Sequence, residues 1–406
     1  MTDTVYKGIR GVLLKASLLF SSVDGMVASA LMIPLLGSIM QEFPDASPVL
    51  LNQTISLPSL LMIPAILITG YLSRFISKKY MLMFGSFIFV ASGFGSMYSP
   101  NLEALVIFRA FEGIGMGIVY PLAPSIIAHL FNGKERAQMI GWSNAVGGIF
   151  SFFLSIAAGY VALTNWRHAF YFYLIFVVVI VMQAILLPAF PPEKKDRSIT
   201  QAAGFTVQKT RLGLPVYLTA GAMLIFMTVA MVNLYYVSIF VATEKMGNTA
   251  QVGLATSLIT VASITMSFAF GYLFKHLKRY LALLGLVMFA FAYFVYSTAH
   301  SMPLIYIGSI FTGVGLGCMF PYMMTRVAQV ASKPAKTMAV TLLSLSIYAG
   351  QFLSGYFTPW LGSLAESTRD VFTLAGKIFA AFAVFALIYI FVTQKYESKI
   401  IIGDNG

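Results

Sequence analysis

Long apolar stretches joined by short polar connections organise this chain, at about 13–39, 50–72, 80–98, 102–129, 138–163, 168–190, 214–242, 249–274, 280–299, 302–325, 337–362 and 374–394. Runs of about 20 apolar residues match the hydrocarbon core of a bilayer, so the pattern predicts twelve transmembrane helices. A closed β-barrel, the other spanning solution, would show alternating segments of about 10 residues. The run from Tyr173 to Ala189 has no such alternation. Lys7, Arg10 and Lys15 precede the first stretch and Ala28-Ser29-Ala30 has the shape of a cleavage site. The apolar run nevertheless continues to Met40 and carries an acid, which suits a retained helix better than a leader peptide.

Composition sharpens this picture. Of 406 residues, 59% are hydrophobic and 10% charged, and the excess is spread over many segments, which excludes an ordinary soluble globular domain. The formal net charge of +12 would suggest an anionic partner in a soluble protein. With a cytoplasmic N-terminus, however, 21 of the 26 Lys and Arg fall on the inner side. Arg167, Lys245, Arg369 and Lys377 fall outside, and Arg109 lies within a span. The basic excess therefore reports orientation and contact with anionic lipid, with no nucleic-acid partner. Both termini are expected inside. Cys318 is the single cysteine, so no intramolecular disulfide or thiolate metal site is expected, and the four His are too scattered for a paired metal site.

The connection at 191–213 is the longest and splits the chain into equal parts, so the domains are expected as a six-helix bundle over 1–190, a cytoplasmic linker over 191–213 and a second bundle over 214–406. The two parts repeat. Phe111, Gly113, Gly115, Gly117 and Pro121 recur 200 residues later as Phe311, Gly313, Gly315, Gly317 and Pro321. The connection beginning Gly70-Tyr71-Leu72 returns as Gly271-Tyr272-Leu273. Six helices per unit is an even number, so both copies enter the membrane in the same sense and the repeat is parallel. The expected fold class is an all-α membrane protein with twelve transmembrane helices in two parallel-repeat six-helix bundles.

These features resemble the major facilitator superfamily over essentially the whole chain. Arg109-Ala110-Phe111-Glu112-Gly113-Ile114-Gly115 is similar to a helix-four pattern of that family, and Trp166-Arg167-His168-Ala169-Phe170-Tyr171 to its entry into helix six. The twelve-helix drug:proton antiporters are the most similar group, on Asp24 followed by Leu31 and Pro34 in the first helix. In the loop pattern after helix two, Gly70, Leu72, Lys78 and Lys79 fit, whereas Arg74 stands where the family has Asp, Phe75 where it has Arg and Ser77 where it has Gly. The antiporter pattern of helix five is met by Gly147 and Gly148, with Ser143 and Asn144 in place of Gly-Pro.

Candidate chemistry concentrates on few residues. Of 14 acids, Asp24 and Glu112 lie well inside spans. An ionised side chain there costs about 2.5–3.5 kcal/mol on insertion scales, so such residues generally carry function or a buried ion pair. Low dielectric favours the neutral form of a carboxyl and a nearby cation the ionised form, so movement of a cation or substrate can switch proton occupancy. Arg109 and Glu112, spaced i, i+3, share a helix face and can pair, which leaves Asp24 to titrate. Asp24 and Glu112 are therefore the proton-coupling candidates. Arg109 either caps helix carbonyls or contacts substrate, and with Asn233, Tyr236 and Gln351 forms the candidate substrate-binding set. Gly113, Gly117, Pro121, Gly313 and Pro321 allow close packing and bending, and with Gly70, Arg74 and Lys78 of the basic loop they are the conformational candidates.

No G-x-x-x-x-G-K-[ST], G-x-S-x-G or HExxH sequence is present, so neither ATP hydrolysis nor an intramembrane hydrolase is indicated. What the resemblance implies is a secondary active transporter working by alternating access, not an enzyme, exporting amphipathic drug-like or metabolite compounds against inward proton flow. The alternative is a proton-coupled symporter or exchanger of an organic anion held by Arg109. No metal or cofactor is expected, the proton gradient being the energy source. The partners are a small-molecule substrate, protons and membrane lipids, and the expectation is a monomer in the plasma or inner membrane.

Overall fold

The computed structural model describes residues 8–21, 23–188, 190, 212–332 and 335–403. Apart from residues 212 and 213, the linker expected at 191–213 lies outside the described residues. Among the described residues there are helices and no strands. The first half contains α1 (Gly8–Ser21), α2 (Asp24–Glu42), α3 (Pro48–Leu72), α4 (Lys78–Gly95), α5 (Leu102–Leu130), α6 (Gly133–Val161) and α7 (Ile175–Leu186), the last preceded by a 3-10 segment, Trp166–Leu174. The second contains α8 (Leu214–Thr243), α9 (Thr249–Leu277), α10 (Tyr280–Ser297), α11 (Met302–Val330), α12 (Lys336–Ser363) and α13 (Thr368–Gly403).

These helices occupy all twelve expected spans. Among the described residues ten helical segments are long and apolar enough to cross a membrane, and α1 with α2, bent by 58° at their junction, pass the same test when taken together. α5, which carries Arg109 and Glu112, takes the place of the fourth span. The first span departs from expectation in one respect. Instead of lying near the middle of one continuous helix, Asp24 is the first residue of α2. The run of apolar residues continues through this point, and periodicity alone does not register an interruption of the backbone ladder inside it.

By contact the described chain forms two compact units, residues 1–257 with 327–359 and residues 258–326 with 360–406. In the first unit α5 packs along α3 and α4, α2 against α6 and α8, and α1 against α7. The glycine repeat explains the closeness of α5. A Cβ on Gly113 would sit 2.4 Å from the Pro58 carbonyl oxygen and one on Gly117 2.8 Å from that of Met62, both on α3, while one on Gly115 would sit 2.6 Å from the Phe89 nitrogen of α4. Spacing of i, i+4 keeps Gly113 and Gly117 on one face, and small residues are what let membrane helices approach this far. Because the obstructing atoms at Gly113 are backbone, Gly113→Val is expected to destabilise the bundle by about 1–3 kcal/mol, measured by thermal unfolding in detergent.

In the second unit the same device recurs. Gly313 and Gly317 of α11 face Ile259 and Ser263 of α9, and Gly315 faces Phe289 of α10. Pro121 and Pro321 lie inside α5 and α11 at equivalent positions. An arginine also marks the repeat. Arg167 donates to the Ser99 carbonyl oxygen at 2.7 Å, just past the end of α4, and Arg369 donates to that of Ala299 at 2.7 Å, just past α10. Carbonyls at a helix C-terminus lack partners within the helix, and a guanidinium supplies them.

Candidate functional site: a buried charge network in the first half

Arg109 is 1% exposed and Glu112 fully buried, so both charges are enclosed by the protein. The i, i+3 spacing on α5 brings them together, and Arg109 Nη1 donates to Glu112 Oε2. Nη1 also donates to the Tyr173 hydroxyl at 2.9 Å, which in turn donates to Glu112 Oε1 at 2.6 Å. Arg109 Nε donates to the Thr54 carbonyl oxygen of α3 at 2.8 Å and Nη2 to that of Ala28 in α2 at 3.4 Å. One side chain thus ties α2, α3, α5 and the 3-10 segment into a single buried cluster. Charged pairs at this depth hold together only when their remaining donors and lone pairs are also satisfied, as they are here.

Tyr173 is a member of this network that composition and periodicity do not single out, since it opens an apolar run. Its place is made by Gly93 of α4, where a Cβ would fall 2.2 Å from the tyrosine ring. The signal is a buried phenol, whose hydroxyl requires a partner wherever it is enclosed. Trp166 and Arg167, immediately before it, are pinned at the end of α2: Trp166 Nε1 donates to Glu42 Oε2, Arg167 Nη2 donates to Glu42 Oε1 at 2.6 Å, and the guanidinium lies 4.5 Å over the indole ring. That anchor fixes the 3-10 segment and so the height at which Tyr173 enters.

Asp24 differs from every other buried charge described. It is 3% exposed, and neither carboxylate oxygen has a hydrogen-bond partner on another described residue. It lies within electrostatic reach of Glu112. The structure therefore brings Asp24, Arg109 and Glu112 into one region, with Arg109 committed to Glu112, Tyr173 and two carbonyls and Asp24 left over.

The other candidates are distributed more widely. Asn233 is fully buried in α8, Tyr236 half-buried on the same helix, and Gln351 half-buried on α12. Gln351 accepts a hydrogen bond from Ser59 of α3 at 2.9 Å through its side chain and from Tyr235 at 2.9 Å through its carbonyl. In the basic loop Arg74 is exposed, Lys78 is 4% exposed at the start of α4, and a Cβ on Gly70 would meet nothing within 4 Å.

The second half carries an uncharged counterpart of the network. At the offset of 200, Arg109 and Glu112 correspond to Ser309 and Thr312 of α11, both essentially fully buried. The Tyr296 hydroxyl lies 3.1 Å from Ser309 Oγ and 3.4 Å from Thr312 Oγ1. The packing partners are exchanged as well. Gly93 receives the ring of Tyr173 in the first half, whereas its counterpart Tyr293 supplies a ring against Phe372 and Phe379 in the second.

Comparison with known proteins places this arrangement. The model of the Major Facilitator Superfamily matches residues 18–244 and 218–402. The chain is 29% identical over 160 residues to the multidrug transporter protein MdtP of Bacillus subtilis, covering 38% of this chain and 28% of that protein. It is 28% identical over 128 residues to the arabinose-proton symporter of Escherichia coli, covering 31% of this chain and 27% of that protein. It is 30% identical over 128 residues to the lincomycin resistance protein of Streptomyces lincolnensis, covering 30% of this chain and 25% of that protein. The matched segments thus span about a quarter of each relative's length. Among solved structures, the nucleoside transporter NupG superimposes with a TM-score of 0.76 at 12% identity, covering 92% of this chain and 99% of that one. A bacterial homologue of the human lysosomal transporter Spinster, inward-facing and occupied, superimposes with a TM-score of 0.74 at 13% identity, covering 96% and 97%. Twelve spans, a parallel repeat and a match that runs through both halves lead to one assignment. The chain is an integral membrane protein and belongs to the Major Facilitator Superfamily.

Proposed function

We propose that the protein is a proton-coupled secondary transporter working by alternating access, which exports amphipathic drug-like or metabolite compounds in exchange for protons. The observation that carries this reading is the contrast between two buried acids. Glu112 is satisfied on both oxygens by Arg109 and Tyr173, so its charge is part of the scaffold. Asp24 is enclosed with no hydrogen-bond partner on another described residue, and a carboxyl in that state can take up and release a proton without dismantling a hydrogen-bond network. Drug export is supported by the similarity to MdtP and to the lincomycin resistance protein. Asn233, Tyr236 and Gln351 of the second half would then shape the substrate site, and the neutral Ser309, Thr312 and Tyr296 set leaves coupling to the first half. The driving force would be the proton gradient across the cell membrane, with both termini on the cytoplasmic side and one chain sufficient for transport.

Symport is the second reading, favoured by the similarity to the arabinose-proton symporter. The two readings separate in vesicles loaded with a pH-sensitive dye and challenged with lipophilic cations, uncharged sugars and organic anions. Antiport predicts that substrate and protons move in opposite directions, with cations active. Protons entering together with a sugar or anion would replace export by uptake. An absence of proton movement with every substrate transported would refute proton coupling itself.

A further inference from the structure

Asp24 stands at an interruption of the backbone, and the groups that hold the interruption come from two other helices. Ser21 closes α1, and the Val23 N–H reaches back to the Phe20 carbonyl oxygen at 3.2 Å. The Val23 carbonyl oxygen accepts from the N–H of Met26 at 2.9 Å and of Val27 at 3.1 Å, which starts α2. Asp24 is thereby the first residue of α2, where the aligned peptide dipoles favour a negative charge. In the middle of an unbroken helix it would have no such field, because the effect is confined to the first turn.

The tie across the break is Gln183, the one polar residue of α7 and fully buried. Its Nε2 donates to Ser21 Oγ at 2.8 Å and to Ser86 Oγ of α4 at 3.3 Å, and both serines are buried. Ser21 Oγ in turn donates to the Ser17 carbonyl oxygen at 2.6 Å, a back-bond of the kind that bends helices. The height of Gln183 is fixed at the end of its own helix, where Lys79 Nζ of α4 donates to the Ala184 and Leu187 carbonyl oxygens at 2.7 Å each. Packing does not explain the choice of an amide. Gln183 Oε1 has no hydrogen-bond partner among the described residues, and enclosing a carbonyl in that state is unfavourable, whereas a methionine would fill the same space without it.

We propose that Gln183 is the positioning residue of Asp24: by holding Ser21 against α4 and α7 it maintains the 58° break between α1 and α2 and so keeps Asp24 at the head of α2. Its meaning for transport rests on the proton-coupled reading above. Around Asp24, α5 supplies Glu112 and Arg109, the latter reaching Ala28 one turn further along α2, and the 3-10 segment supplies Tyr173. Of the other helices packed on α2, α3 carries no charged residue, α8 carries Tyr235 and Tyr236 and no charge, and the charges of α6 lie in its first turn. None of these depends on Gln183, so its removal changes the place of Asp24 and leaves its charged neighbours intact.

The tie is tested in full-length protein in lipid nanodiscs. Nitroxides at Val12 and Gln41, exposed on α1 and α2, in a Cys318→Ala background, read the bend as a distance that lengthens when the two helices straighten. Dicyclohexylcarbodiimide, an apolar reagent that adds to protonated carboxyls, reads Asp24, with the modified residue located by peptide mass spectrometry. Gln183→Met keeps the volume and removes the tie. It should lengthen the distance and, on the alkaline side of the labelling midpoint, raise modification of Asp24 about fivefold, because losing the helix N-terminus favours the neutral carboxyl. Ser21→Ala should act in the same direction, and the double variant should raise modification by less than the product of the single effects, since both break one tie. Ser21→Thr, which keeps the hydroxyl, should match wild type in both readouts. If either readout stays at the wild-type value in Gln183→Met or in Ser21→Ala, or if the two effects multiply, Gln183 does not act on Asp24 through Ser21 and the proposal is overturned. Neither readout uses substrate or a proton gradient, so failure of this tie and failure of proton coupling in vesicles are separate results.

Discussion

Asp24→Asn should reduce substrate-evoked proton movement to the level of empty vesicles while substrate binding and substrate-for-substrate exchange persist. The asymmetry follows from the surroundings of Asp24. Asn has the same shape and no proton to exchange, and because neither Asp24 oxygen is hydrogen-bonded to another described residue, the substitution breaks no hydrogen bond to one. It also removes a potential charge from an enclosed site, so the variant is expected to be at least as stable as wild type, with a gain of up to about 3 kcal/mol on the scale of intramembrane charge costs. Stability and flux should therefore move in opposite directions, which separates loss of coupling from loss of fold. Full proton-coupled transport in the Asn variant would remove Asp24 from the mechanism.

Glu112→Gln is expected to have the opposite profile. It leaves the Arg109 guanidinium buried without its counter-charge, a change that destabilises by about 3–5 kcal/mol when one member of an enclosed ion pair is lost. The double variant Arg109→Met with Glu112→Leu removes both charges together and should recover most of that stability, since a well-packed apolar pair replaces an ionic one at little net cost. Tyr173→Phe, which deletes the shared hydroxyl and keeps the ring in the notch at Gly93, should cost about 1–3 kcal/mol through the unsatisfied Glu112 oxygen. Unfolding in detergent, followed by heat or denaturant, ranks the three. If Glu112→Gln were as stable as wild type, the carboxylate would be exchanging protons itself, and the division of labour between the two acids would have to be reversed.

Much of this architecture can be read before any coordinates. Apolar length alone locates the spans, because a bilayer demands it, and the offset of 200 exposes the duplication and the packing role of Gly113, Gly117, Gly313 and Gly317. The pairing of Arg109 with Glu112 follows from helical spacing. The interruption between α1 and α2 does not, because the apolar character of the chain runs through it without change. Tyr173 is hidden for a related reason: its role depends on Gly93, 80 positions earlier, and on the Trp166 and Arg167 anchor to Glu42. Ser238 is an ordinary serine in an apolar helix until Pro34 and Gly37, 204 and 201 positions away, are placed beside it. By contrast, Ser309 and Thr312 are legible, since the repeat that aligns the glycines also aligns them with Arg109 and Glu112.

The replacement of a charged set by hydroxyls in the second half has a consequence for how the molecule feels the membrane voltage. A potential acts on a transporter through the charges it must carry across the field, at about 2.3 kcal/mol per elementary charge for each 100 mV. With Ser309, Thr312 and Tyr296 neutral, the buried site of the second half gives the field nothing to hold. Arg109 and Glu112 cancel as a pair, so in the proton-coupled reading Asp24 is the member of this buried set whose proton changes its net charge. The voltage sensitivity of the transport cycle should then belong to one carboxyl and to whatever charge the substrate brings.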